Sequence, residues 1–258
     1  MALFEQWCDS ERVESKRKRL WKFAEKQGGR DSIRAELFTT VRSHYDNLDR
    51  IADDVKELGY ELTAVILRER LPQTKKARSG ELGEILATEL IEEELAFDVP
   101  VRRLRYKDGR EMALRGDDFI GVRYSPEEGL QLLKGESKSR AVLNKTTVTE
   151  ARTVLNRDSG RCTPMSLLFV ADRLLERTGE KENLGRVLRK EVGTKSLPAR
   201  RIDHVLFTMS GNAAIEALDE DLQQADSARN QTVINIRIDD HQDFIVEVYE
   251  GAQNLGND

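Results

Sequence analysis

The 258-residue chain is poor in cysteine, histidine and proline, with two, three and five of them. Cys8 and Cys162 are far apart, so no disulfide framework can be built, and that stock cannot supply a Cys/His zinc site. Long apolar runs are missing too. The longest, Met165 to Ala171, is already broken by Ser166, whereas a membrane-spanning helix needs ~20 apolar residues. A membrane protein is therefore excluded. No Gly-Lys-Ser/Thr occurs, so the phosphate-cradling loop of nucleotide hydrolases is absent and no nucleotide cofactor is expected. The opening residues MALFEQWCDS have neither a basic start nor an apolar core. The expectation is a protein of the reducing cytoplasm.

What is present suits a globular fold: 38% hydrophobic and 34% charged residues, with a net charge of −5. The length allows one large domain, or one domain with an extension. Charge is unevenly spread. Residues 216–258 hold eleven acidic and two basic residues, a local net of −9, which leaves residues 1–215 at +4. Two basic stretches stand out, 102–115 and 134–157; the second carries Lys134, Lys138, Arg140, Lys145, Arg152 and Arg157 against two acids. Binding to nucleic acid requires local basic surface rather than a basic total, because phosphate contacts are short-ranged and screened by salt.

Along the chain, residues 13–70 read as helix, with Gly59 placed to end one helix and a second stopping before Pro72. Residues 72–79 read as a basic connector, with Ser79 as cap for a helix from Gly80 to about Leu95. The texture then turns to strands. The expected ones are Asp98 to Tyr106 with a turn at 107–109, Asp117 to Tyr124, and Leu130 to Lys138. Helices are predicted over 147–157, after Thr163-Pro164, and over 212–224, with a strand from Val205. Val233–Ile238 and Phe244–Tyr249 read as a closing hairpin around 239–243. The fold class is α/β (α+β), a mixed sheet flanked by helices: a helical extension over 1–78 ahead of a sheet domain over 79–258.

One constellation could carry chemistry. Glu136-Ser-Lys138 ends an apolar strand, where side chains two apart share a face. Asp118, with Asp117 beside it, opens the preceding strand, and Glu81 and Glu84 share one side of the helix leading into the sheet. Carboxylates converging in this way can hold a hard cation such as magnesium, with manganese as a substitute. A lysine among them can orient the attacking water or hold phosphate charge. The chain has two other acidic-x-Lys triplets, at 14–16 and 54–56, but both lie in stretches that read as helix, where residues two apart diverge.

The order of helix, Asp118, Glu136-x-Lys138, helix and strand resembles the PD-(D/E)XK nucleases over residues 80–210. A narrower resemblance is to the DUF1837 family, the nuclease subunits of the Hachiman anti-phage defence system. It rests on KKARSGELGEIL (75–86), RGDDFIG (115–121) and LKGESKSR (133–140). The resemblance implies a metal-dependent deoxyribonuclease working beside a superfamily 2 helicase. It implies Asp118, Glu136 and Glu84 as metal ligands, with Asp117 and Glu81 as alternatives, and Lys138 at the water and phosphate. Lys134, Arg140, Lys145 and Arg152 are the candidate DNA contacts. The Gln-x-x-x-Tyr pair that some of these nucleases carry on the following helix is missing here. A non-catalytic DNA-binding or helicase-binding subunit on the same fold is the alternative.

Overall fold

Residues 8–25 form a hairpin, where helix was expected from residue 13. In the computed structural model, which describes residues 2–255, the short helix α1 (Leu3–Trp7) leads into β1 (Cys8–Ser15). β1 pairs antiparallel with β2 (Lys18–Glu25), and Lys16 takes a left-handed conformation (φ 53°) in the turn between them. Two features hide this hairpin from a sequence reading. The turn has no glycine or proline, and β1 is an edge strand whose residues after Cys8 are all exposed, so it shows no alternation. The buried aromatics Trp21 and Phe23 of β2 suit a pleated, half-buried surface. Helices follow: α2 (Gly29–Tyr45), α3 (Leu48–Arg70) and α4 (Lys75–Leu95). α3 breaks at Gly59 (φ 81°), as predicted. α4 starts five residues earlier than expected; Thr74 caps it by accepting from Ala77 N, while Ser79 lies inside the helix.

The strand expected over 98–106 does not form, and the turn that follows, closed by Met112 N donating to Gly109 O, joins no hairpin. In its place are one bridge, Asp98 to Val122, and a 3-10 turn over Arg103–Tyr106. Pro100 lacks a ladder donor, and the helix takes the rest: Val99 N donates to Glu92 Oε1 (2.8 Å), and Arg102 pairs with Glu92 and Glu89.

From here the reading is close. β3 (Phe119–Ser125) and β4 (Gly129–Arg140) are antiparallel, followed by α5 (Lys145–Leu155), α6 (Pro164–Leu175) and α7 (Glu180–Thr194). Then come β5 (Ile202–Ser210), α8 (Ile215–Gln224), β6 (Gln231–Arg237) and α9 (His241–Gln253). The last expected strand, 244–249, is thus a helix. Phe244, Ile245, Val248, Tyr249 and Ala252 are buried at helical spacing, which outweighs the strand preference of an Ile-Val run.

The described residues form one six-stranded mixed sheet in the order β1-β2-β6-β5-β4-β3, with β2, β6, β5 and β4 parallel to one another and the edge strands β1 and β3 antiparallel. The N-terminal segment therefore contributes two strands to the sheet and shares its core. Leu133, Phe207 and Ile234 pack on one face with residues of α1, α2, α4 and α9. On the other face Leu132 meets α6 and α7, while Leu206 and Val233 meet α5 and α8. This is a three-layer arrangement. No helix among the described residues is long and apolar enough to cross a membrane.

Two close approaches set the geometry at the head of β3. A Cβ on Gly135 would stand 1.7 Å from Phe119 Cε2, so only glycine admits that ring across the strand pair. A Cβ on Gly83 would meet Ser137 Oγ at 2.8 Å, so α4 runs hard against β4.

Candidate active site

β3 and β4 part at the pair Phe119–Gly135. One residue before the fork, the Asp118 carboxylate accepts a hydrogen bond from Ser137 N at 2.8 Å, taking the place of a strand partner. Glu136 is buried there, and Lys138 Nζ donates to its Oε1. α4, pressed onto β4 at Gly83, brings in Glu84. These carboxylates feel one another. Burial and the Asp118 charge push the Glu136 carboxyl up to about 7, against the pull of Lys138. Burial raises Asp118, offset by the Ser137 N–H and by the charges of Lys138 and Arg103. Glu84 is held well above its ordinary range by burial and then by Asp118, with Arg103 opposing.

Arg103 is a member of the site that sequence reading missed. In the sequence it is one more cation in a basic run, but the 3-10 turn buries it beside Glu84 and Asp118, where all three line one small gap. Among the described residues its one hydrogen bond is Nη2 to Arg115 O, at 2.8 Å. No local pattern announces this, because the contact depends on the connector failing to become a strand.

Asp117 faces elsewhere. Its Oδ2 accepts from Thr163 N (2.7 Å), its own N–H donates to Ser166 Oγ (2.9 Å), and Lys134 Nζ stands 3.6 Å from Oδ1. Lys134, expected at DNA, is therefore buried in an ion pair. Arg152 is corrected in the same way: it is buried, held by Asp221 and by Gln231 Oε1. Lys145 is exposed but paired with Glu220 at 2.6 Å. Arg140 is exposed and, among the described residues, donates only to Ser139 O. Glu81 is a structural pin that accepts from Tyr45 Oη (2.7 Å) and from Lys107, while Tyr45 meets Tyr249 at 2.9 Å.

The donor set suits a hard cation: buried carboxylate oxygens repelling one another, with few positive partners. Among the described residues no three acidic, histidine or cysteine side chains form a ready-made cage. Magnesium does not need one. It is held by one or two carboxylates, keeping waters and substrate phosphate as its other ligands. Asp118 and Glu136 meet that requirement.

A model of the HamA family matches residues 1–252, from the N-terminal hairpin through α9 and every candidate residue above. The chain belongs to the HamA family. The Hachiman protein HamA of Bacillus cereus is 29% identical over 183 residues, 71% of this chain. The matched stretch spans 64% of that relative's own length. HamA membership agrees with the narrower resemblance carried by residues 75–86, 115–121 and 133–140, whose segments meet at the fork as α4, the head of β3 and the end of β4.

Proposed function

We propose that this chain is a metal-dependent deoxyribonuclease, the effector subunit of a bacterial anti-phage defence complex in which a superfamily 2 helicase controls access to DNA. The observation that carries the reading is the meeting of Asp118, Glu136 and Glu84 with Lys138 at the fork of β3 and β4. Had Lys138 pointed away from the carboxylates, the hydrolytic reading would have failed; instead it lies on Glu136. Membership of the HamA family, and the Hachiman name of the relative, support the place in defence.

Asp118 and Glu136 would hold magnesium or manganese, with Glu84 behind them. When bound, the metal supplies Lewis-acid polarisation of the phosphate and a water acidic enough to attack it. The chain's own groups do the rest. Lys138, released from Glu136, holds charge on the phosphate and orients the water. Ser137 N–H fixes the Asp118 carboxylate. Arg103 limits the repulsion between Glu84 and Asp118 while the metal is away.

The deciding experiment is plasmid cleavage by wild type and by Lys138→Ala, with magnesium or with a chelator. Cleavage that needs both magnesium and Lys138 is expected. Cleavage by Lys138→Ala at the wild-type rate would sink the site. Silence of the wild type both alone and with its helicase would leave a binding subunit on a nuclease-like fold.

A further inference from the structure

Glycine is a poor helix former, so a glycine inside a helix asks for a reason. In most helices of this fold the reason is close packing. A Cβ would run into Trp7 at Gly29, into Ser137 at Gly83, into Ala171 at Gly185 and into Phe38 at Gly251. Gly193 would meet nothing, but it lies in the last turn of α7, beside the left-handed Lys195. Gly80 is the exception. It stands in the second turn of the 21-residue α4, exposed, without a positive φ, and a Cβ there would find no atom within 4 Å. Neither packing nor backbone conformation requires a glycine at this position.

Its place in the fold supplies another reason. Gly80 precedes Glu84 by one turn, so the two are neighbours on the helix surface. α4 is seated antiparallel on β4: Gly83 lies against Ser137, and Ser79 Oγ meets Ser139 Oγ at 2.8 Å. Lys76 comes three residues before Ser79 on the same side of the helix. It therefore continues that seam to the end of β4, where Arg140 follows Ser139. Both cations are exposed, and among the described residues neither has an acidic partner. Lys75 is equally exposed, but it lies about two and a half turns before Glu84 and so leaves the helix on the opposite side. Along the seam the order is carboxylates at Glu84 and Glu136, a turn without a side chain at Gly80, then cations at Lys76 and Arg140. Lys76 stands roughly 12 Å before Glu84 along the helix axis. A polyanion held at both ends of this line crosses α4 at Gly80, where any side chain would hold it off. Glycine serves where a ligand must come close to the backbone, and unpaired cations suit phosphates.

We propose that Gly80 and Lys76 are substrate-binding residues: the DNA strand with a phosphate at the carboxylates runs along α4 toward its start, its backbone lying against Gly80 and a further phosphate held by Lys76. The inference rests on the nuclease reading and adds the path of the substrate.

The test uses the full chain, alone and with its helicase, and the variants Gly80→Gln, Lys76→Ala and Lys75→Ala. Melting temperature, DNA affinity against salt, and cleavage with magnesium are measured for each. Gly80→Gln should melt about 2 °C higher than wild type, because a better helix former replaces glycine in open space. The same variant should bind and cut DNA about tenfold more weakly, so stability and function move in opposite directions. Lys76→Ala should lower the slope of log affinity on log salt by about one, and Lys75→Ala should leave it unchanged. A Gly80→Gln protein that binds and cuts like wild type overturns the proposal and leaves the nuclease standing. So does one that melts lower, since glycine would then serve packing, and so do equal losses in Lys75→Ala and Lys76→Ala. The expected binding losses without any cleavage, even with the helicase, support the path along α4 and overturn the nuclease. Absence of DNA binding by wild type, alone and with the helicase, overturns both.

Discussion

Two regions of the molecule bury charge, and they do so in opposite ways. Between α5, α8 and the start of β6, Arg152 gives Nε and Nη2 to Asp221 and Nη1 to Gln231, whose amide continues to Asp226 O. On α7, Glu191 likewise accepts from Arg161, from Ser196 N and Oγ, and from Leu197 N. Asp221 has its cation, and Glu191 has both a cation and backbone N–H groups. At the fork of β3 and β4, Glu136 has one donor, Lys138, and Asp118 has Ser137 N; Glu84 accepts no hydrogen bond from the described residues. A buried carboxylate left short of partners costs stability, so a fold keeps such a group where chemistry uses it. The comparison separates acids that hold the structure from acids that wait for a ligand.

The sharpest way to break that contrast is to neutralise one acid in each region. Glu136→Gln should lower magnesium-dependent cleavage by about a thousandfold while leaving the metal-free protein at least as stable as wild type. Asp221→Ala should do the reverse. It strands Arg152, whose side chain is 10% exposed, and should cost about 3 kcal/mol in urea unfolding with cleavage per folded molecule unchanged. If Glu136→Gln unfolds the protein, or Asp221→Ala abolishes cleavage in a folded one, the roles have been exchanged.

Titration sharpens the same comparison, because a buried group away from the fork and one at it respond to pH with opposite sign. His204, on β5 away from the fork, donates Nε2–H to Gly160 O at 2.8 Å, and burial lowers it to about 3. Between that value and 6.5 the unfolded chain takes up a proton that the folded chain refuses. His204 therefore costs stability as pH falls through this window, by up to about 1.4 kcal/mol per unit. Glu136 stands near 7 in the metal-free fold against an ordinary 4.5, so there the folded state binds the extra proton and stability is lost as pH rises from 4.5 to 7. Urea melts in chelator across pH 5–7 should show Glu136→Gln gaining on wild type with rising pH. A constant gap between the two proteins would contradict the placement of Glu136 beside Asp118.

The parts of this contrast legible in the sequence were those that repeat locally. Strand alternation placed Asp118, Glu136 and Lys138, and helical spacing placed Glu84 one turn beyond Glu81. The hairpin at 8–25 was illegible because an edge strand with one polar face after another carries no period, and because Lys16 turns the chain without a glycine. α9 was misread as a strand because Ile245, Val246 and Val248 signal sheet, whereas burial on the sheet face decides otherwise. Lys134 and Arg152 were assigned to DNA by their charge alone. Their acids, Asp117 and Asp221, come from elsewhere in the chain, Asp221 from 69 residues away, and no local pattern reports such a pairing. Arg103 was overlooked for the same reason.

A smaller effect follows for the packing at the fork. Gly135→Ala forces its Cβ into the Phe119 ring and should cost about 1–3 kcal/mol, recovered when Phe119→Leu is added; a stable single variant would mean that the fork is looser than its geometry.

The smallest effect expected separates Arg140 from Lys145, two exposed cations that sequence reading treats alike. Lys145 is already answered by Glu220 at 2.6 Å, so a phosphate that approached it would have to displace a carboxylate. Arg140 has no acidic partner among the described residues and stands two residues beyond Lys138. In DNA binding measured against salt, Arg140→Ala should reduce the slope of log affinity on log salt by about one, the signature of one lost phosphate contact, while Lys145→Ala leaves it unchanged. The reverse result would move the DNA path from the end of β4 toward the acidic face of α8. That face, with Glu216, Asp219 and Glu220, repels a polyanion by its own charge unless a basic partner covers it.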